Sequence, residues 1–214
     1  MRRTIPSSRR KLPPAVFLLI GAVALVLGVG VPDLVPKNFG EVDPGKVYRS
    51  GQMTPAAFAR AQEKHGFRTI IDLGSYEPHE RGDQRNQQVA DAAGVKRYLF
   101  DLEGDATGNP NYYVQVLRLM RDPAHQPVLV HCGAGSERTG CAMILYNLLE
   151  HGTPVEEGMK DAYRFKHRDH RNPHFREVLD RWTEPILKAV RDGGQIPGVP
   201  VLPEPRPVGT PAQD

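Results

Sequence analysis

Cysteine is almost absent from these 214 residues: Cys132 and Cys141 are the only two, nine positions apart. Two thiols in one short stretch exclude a disulfide framework as the source of stability, so each needs its own chemical reason. A true surplus of positive charge is also missing, although the formal net charge is +3. Five of the 28 Lys and Arg residues (Arg2, Arg3, Arg9, Arg10, Lys11) lie within the first eleven positions, with no acid among them. That leaves 23 basic residues against 25 acidic ones in the rest of the chain. A slightly acidic body argues against a nucleic-acid-binding face. Hydrophobic residues make up 39%, enough for one packed core and too few for a polytopic membrane protein. No internal repeat is visible.

Long apolar runs are lacking but for one. Residues 15–31 read AVFLLIGAVALVLGVGV without a charge, behind a basic segment over 1–14. Seventeen residues stand at the short limit for crossing a bilayer, and Leu12 to Pro14 and Pro32 extend the uncharged length. Two readings stand. One is a cleaved signal peptide; the other is an uncleaved transmembrane anchor over 15–35, favoured by the length of the run and the lack of a small-residue cleavage site. The positive charges would stay cytoplasmic. The expected localisation is therefore single-pass in a membrane, with the folded domain on the opposite side, or secreted after cleavage. A folded domain is expected over 40–191, and the Pro/Gly-rich stretch 192–214 is expected to be disordered.

Within the domain, strand-like and helix-like segments alternate. Val47–Tyr48, Phe67–Leu73, Val95–Phe100 and Val128–Val130 read as strands. Helices are expected over 55–65 behind Thr54, over 83–93 with Asp83 as cap, over 109–121, over 139–150, from a Thr153–Glu156 capping box, and over 173–191. The alternation predicts an α/β fold, with a mainly parallel central sheet of about four to five strands flanked by helices and preceded by the transmembrane helix.

The chemistry concentrates in Pro127–Cys141, PVLVHCGAGSERTGC. An apolar strand feeds a glycine-containing loop and then a helix, the arrangement of an anion cradle. Gly133, Ala134, Gly135, Ser136 and Glu137 would present backbone N–H groups to a phosphate. Cys132, at the centre of those N–H groups, the helix dipole and Arg138, is favoured as thiolate, the nucleophilic form. The planar fork of Arg138 suits two phosphoryl oxygens. Thr139 can hydrogen-bond the thiolate.

His131-Cys132-x5-Arg138-Thr139-Gly140 resembles the catalytic loop of the protein tyrosine phosphatase superfamily. With Gly135 in its middle it resembles most the compact dual-specificity-like branch of bacteria and fungi. Val47–Gln52 (VYRSGQ) and Thr69–Leu73 extend the likeness, which covers about residues 45–170. The resemblance implies attack by the thiolate on phosphorus, a phosphocysteine intermediate and its hydrolysis, with no metal or other cofactor. It also implies an aspartate general acid on a loop upstream of the cysteine. Asp105 is favoured for its place near the helix start, and Asp101 is the alternative.

His131 is expected to support the loop. Cys141 reads as a small buried hydrophobe, with a redox switch to Cys132 as the weaker alternative. His167, His170 and His174 lie among Arg and Lys and read as a solvated basic face rather than a metal site. Arg49 and Arg81 are candidate anion contacts, with surface salt bridges as the plainer expectation. Three functions follow. The first is hydrolysis of phosphotyrosine, with phosphoserine or phosphothreonine in addition. The second is hydrolysis of a small phosphorylated molecule such as an inositol phosphate or phosphoinositide, ranked lower because Glu137 puts an acid in the loop. The third is an inactive phosphate-binding module. The expected partners are the phosphorylated substrate and the membrane, with no nucleic acid.

Overall fold

Val128–Cys132 alternates no polar residue through its first three positions, so neither of its faces suits water. The chain places it in the middle of a sheet, buried along its whole length. The computed structural model describes residues 36–209. Five strands form one sheet: β1 (Gly40–Asp43), β2 (Val47–Gly51), β3 (Thr69–Asp72), β4 (Lys96–Leu99) and β5 (Val128–Cys132). Their spatial order is β1-β2-β5-β3-β4. The edge strand β1 is antiparallel to β2, and every other pairing is parallel. The six helices of the described residues are α1 (Pro55–His65), α2 (Arg81–Ala92), α3 (Asn111–Arg121), α4 (Glu137–His151), α5 (Val155–Arg164) and α6 (His174–Asp192).

Side chains alternate across a strand, and the two faces of this sheet gather two cores. Tyr48, Ile70 and Leu129 pack with Ala57, Phe58, Ala61 and Ala90 of α1 and α2. Val47, Ile71, Val128 and Val130 pack on the other face with residues of α3, α4, α5 and α6. Helix α4 is apolar on nearly every side because it is covered all round, with Thr139 to Tyr146 all buried. Thr54 caps α1 by accepting from the Ala57 N–H (3.2 Å), as its position before Pro55 predicts. Two other expected caps differ. Glu80 rather than Asp83 precedes α2, and α5 begins at Val155 behind Pro154, with no side-chain cap. Asp83 and Glu156 are taken by stronger partners, Arg97 and Arg176.

Parallel strands converge at their carboxyl ends, and here that end carries the polar core. Arg97 is wholly buried between Asp72 (2.8 Å) and Asp83 (2.6 Å). Asp72 also accepts the Ser75 N–H (2.9 Å) and the Asn86 amide (3.3 Å). Burial alone would raise the Asp72 carboxyl, but His131, Arg97 and the Ser75 N–H outweigh it and hold it below the usual carboxylate range.

Two expectations are corrected. The expected fold includes a membrane-spanning helix, and the expected localisation a single-pass anchor. Among the described residues no helix is long and apolar enough to cross a membrane, and the stretch 15–35 lies outside those residues. What the structure supports is an α/β domain with a mixed sheet. The Pro/Gly-rich tail, expected to be disordered, is tied down as far as it is described. Asn109 and Asn111 donate to the Pro200 carbonyl (2.8 and 3.2 Å), Gln115 donates to Pro203 (2.6 Å), and the Val208 N–H reaches the Arg97 carbonyl (2.7 Å). Side-chain amides on and before α3 supply the first three of these bonds and the β4 backbone the last, so no periodic pattern in the tail announces them.

Replacing Arg97 by Met should leave two buried carboxylates without their counter-charge and cost roughly 3–5 kcal/mol of stability. Urea unfolding of the variant measures this; a loss under about 1 kcal/mol would mean that the pair is not holding the core. The sign with pH follows from Asp72. Its depressed carboxyl stabilises the fold above the unfolded-state value, and that contribution is lost as pH falls through the folded-state value.

Candidate active site

Parallel register sets the centre of the site. Cys132 ends β5 directly opposite Gly51 of β2, and His131 stands opposite Asp72 of β3. The strand then turns through Gly133–Ser136 into α4. Cys132 is 2% exposed, and its Sγ accepts the Gly135 N–H at 3.2 Å. The loop carbonyls are all engaged, three from outside the loop and the fourth by the first turn of α4. Gly133 O accepts the Gln52 N–H (3.1 Å), Ala134 O accepts the Asn38 amide (2.9 Å), Gly135 O accepts Arg49 Nη2 (2.5 Å), and Ser136 O accepts the Gly140 N–H (2.8 Å). A peptide whose carbonyl is held outward turns its N–H inward, so these bonds make the loop a cradle of donors. Ser136 gives its hydroxyl to Phe165 O (2.8 Å) and does not cap α4. The first turn of that helix therefore keeps its N–H groups for an anion.

Two glycines are required by this close approach. Gly135 has a φ of +73°, and a Cβ there would meet Gly51 N and stand 2.6 Å from Ser50 O. A Cβ on Gly51 would stand 2.6 Å from Ala134 O. The loop thus lies directly against the end of β2, which no larger residue would allow.

Arg138 is aimed by the neighbouring strand ends. Its Nη1 donates to the carbonyls of Gly74 and Leu102 (3.1 Å to the latter), while Nε is buried with no partner among the described residues. One edge of the guanidinium is thus anchored, and a donor on the other remains available to an anion. Thr139 Oγ1 is likewise buried without a partner, as is Ser50 Oγ. His131 lies against Ser75 Oγ (Nδ1, 3.1 Å) and near Asp72 (Nε2, 3.7 Å). Burial lowers its pKa, and Asp72 only partly compensates. It braces the segment after β3 that carries Gly74, the anchor of Arg138.

The two candidate acids differ. Asp101 is exposed. Asp105 is half-buried, and its Oδ1 accepts both the Thr107 N–H (3.0 Å) and the Thr107 hydroxyl (2.6 Å). Burial acts to raise its pKa, but the Thr107 bonds and the nearby His174 outweigh it, so the carboxyl lies below its ordinary value. Asn172 joins the two loops: its amide reaches the Asp105 carbonyl (2.8 Å) and Glu137 Oε2 (3.0 Å).

Several sequence readings change. His167 does not belong to a solvated basic face. It is fully buried, stacked on Phe175 (4.2 Å between centroids), with its ring nitrogens 2.7 Å from Glu137 and 3.0 Å from Asp169. His170 is exposed, and His174 sits by Glu177 (3.0 Å). Among the described residues no cluster of three or more His, Cys, Asp or Glu can hold a metal. Arg49 is buried rather than in a surface salt bridge, while Arg81 is exposed. Cys141 is wholly buried, and burial pushes its thiol up to about 12, an inert small hydrophobe. Asn38 and Asn172, which tie the loop from outside, carry no sequence signal of their own, and Gln52, the last residue of the VYRSGQ stretch, does so through its backbone N–H.

The Gly135→Ala change should disorder the loop. We expect any turnover at this loop to fall by at least about 10²-fold, and the melting temperature to fall as well because the added Cβ meets the end of β2. A near-normal rate in a folded variant would show that the cradle is not required.

Comparisons with known proteins agree with this geometry. A model of the tyrosine phosphatase family matches residues 33–186. The inositol diphosphatase SIW14 of Saccharomyces cerevisiae is 30% identical over 110 residues, 50% of this chain and 37% of that protein. The inositol diphosphatase DSP3 of Arabidopsis thaliana is 34% identical over 110 residues, 50% of this chain and 51% of that one. The chain thus spans about half or less of the length of these curated relatives. The crystal structure of the core catalytic domain of the PP-IP phosphatase SIW14 from S. cerevisiae, in complex with citrate, superposes with a TM-score of 0.58. It is 25% identical, covering 74% of this chain and 94% of that one. With the family match running through both the sheet and the Cys132–Arg138 loop, this chain belongs to the tyrosine phosphatase family.

Proposed function

We propose that this protein is a cysteine-dependent phosphatase acting on a small phosphorylated molecule of the inositol phosphate class. The observation that carries the reaction is Cys132 Sγ receiving an inward-turned N–H while every carbonyl of its loop is bound outward. Such a site favours sulfur as thiolate and then the equatorial oxygens of a phosphoryl group. The sulfur forms a bond to phosphorus as the bond to the leaving oxygen breaks. That oxygen takes a proton from Asp105, with Asp101 as the alternative. Water, losing a proton to the same carboxylate, then attacks phosphorus; the sulfur–phosphorus bond breaks, releasing phosphate and restoring the thiolate. Arg138 binds the oxygens through both steps, and Thr139 supports the departing sulfur.

The substrate class rests on the relatives, which are described as inositol diphosphatases. Glu137, the residue that argues against a polyanion in the sequence, has its carboxylate engaged by His167 and Asn172. Its negative charge is thereby partly offset on the side of the α5–α6 connection. One observation favours phosphotyrosine instead: the loop interior, Gly133–Glu137, contains no cation.

Two measurements test this. Purified full-length protein should hydrolyse an inositol pyrophosphate at least about tenfold more efficiently than a phosphotyrosine peptide; the opposite order overturns the substrate assignment. The general acid shows in the basic limb of the pH profile. An acid held at a low pKa is protonated only below it, so the rate falls as pH rises through that value. Thr107→Val, which removes the hydroxyl bond to Asp105, should move this limb to higher pH, and Asp105→Asn should abolish it with a loss of about 10²-fold. If Asp101→Asn does so instead, the acid is Asp101.

A further inference from the structure

Arg49 lies outside the catalytic loop and is one of the most deeply buried cations of the domain, 3% exposed. It extends from β2, the strand whose end the loop packs against, and its Nη2 donates to the Gly135 carbonyl at 2.5 Å. The guanidinium lies over the ring of Phe165, 3.7 Å from its centroid, and its Nε is buried with no hydrogen-bond partner. Among the described residues no carboxylate stands within ion-pair distance of it. The contrast with Arg97, enclosed between two aspartates, is plain. An unpaired buried charge is costly, and a residue needed only as a strut would more cheaply be apolar.

The charged groups facing Arg49 are few. Cys132 of β5 and Asp161 of α5 both favour its cation, and Glu41 of β1 lines the same cavity. Burial pulls its pKa down to about 10, so it remains a cation at neutral pH. The peptide it grips, Gly135–Ser136, follows directly on the Ala134–Gly135 peptide whose N–H reaches Cys132 Sγ, so the guanidinium and the sulfur are held on the two sides of one residue, Gly135.

We propose that Arg49 is a positioning residue for Cys132: from behind the loop it holds the Gly135 carbonyl outward, and it supplies a buried positive charge whose counter-ion is the anion of the site, first the thiolate and then the phosphoryl group. Arg138 grips the substrate from the front; Arg49 acts through the backbone from the back. The proposal rests on Cys132 being the nucleophile but not on which phosphate ester is the substrate.

The test uses the full-length protein as Arg49→Met, which removes charge and donor, and Arg49→Lys, which keeps the charge but not the fork. Two readouts are independent of turnover: the pH dependence of Cys132 alkylation by iodoacetamide, and binding of vanadate. In Arg49→Met the alkylation midpoint should rise by about one pH unit or more, and vanadate should bind at least about tenfold more weakly. In Arg49→Lys the midpoint should stay near that of the parent while vanadate binding weakens a few-fold. A folded Arg49→Met with parental alkylation and vanadate binding overturns the proposal, as does an equal shift of the midpoint in both variants. Should Arg49→Met fail to fold, Arg49→Lys decides: parental behaviour in both readouts would make Arg49 a structural strut only. Cys132→Ser, which should take up no label, separates failure of the nucleophile assignment from failure of this one.

Discussion

The structure depends on the direction in which four peptide groups of one loop point. A carbonyl turned toward Cys132 would repel a thiolate and a phosphate alike, whereas an N–H attracts both. Inside Gly133–Ser136 only the Ser136 side chain makes a hydrogen bond, to Phe165 O, and none of the loop carbonyls is held by a side chain of the loop itself. Their direction is set from outside, by the Gln52 N–H, the Asn38 amide and Arg49, and by the first turn of α4. The central place of β5 follows from this need. A loop held from behind by β2 and braced in front by the segments after β3 and β4 must spring from the strand between β2 and β3.

The same convergence explains why so much polarity is buried on one side of the strand ends. Asp72, Arg97, Asp83, Asn86, His131 and Ser75 form one connected set beneath the site. Buried ion pairs are weak contributors to stability because desolvation offsets their attraction. What this set does supply is a fixed position for the segment after β3, whose Gly74 carbonyl anchors Arg138. The positions of Cys132 and of the Arg138 guanidinium therefore trace back through hydrogen bonds to this ion-paired polar core.

Much of this was legible in the sequence, for identifiable reasons. The strands at 69–72 and 128–132 lie in short apolar, β-branched runs and that at 96–99 lies between Val95 and Phe100, and the helices between them carry periodic apolar faces and terminal glycines or prolines, so their existence and type could be read. Cys132, Gly135, Arg138 and Thr139 were singled out because a cysteine, a glycine and a planar cation at this spacing resemble a phosphate-binding loop, and the structure brings the four together where β5 turns into α4. β1 was not, since Gly-Glu-Val-Asp has no strand pattern and owes its place to pairing with β2. Asn38, Arg49, Asn172 and His167 were illegible or misread because their roles come from partners 86 residues away (Arg49 to Gly135) or 30 (His167 to Glu137). Spacing along the chain carries no trace of such contacts. The ordering of the tail escaped for the same reason.

The proposed reaction passes a phosphoryl group through sulfur, and that passage can be observed. Rapid acid quenching of the protein during turnover, followed by peptide mapping by mass spectrometry, would trap the intermediate. The account predicts a phosphate on the peptide containing Cys132, bound through sulfur and absent in Cys132→Ser. Phosphate on another residue, or full turnover with none on Cys132, would contradict it.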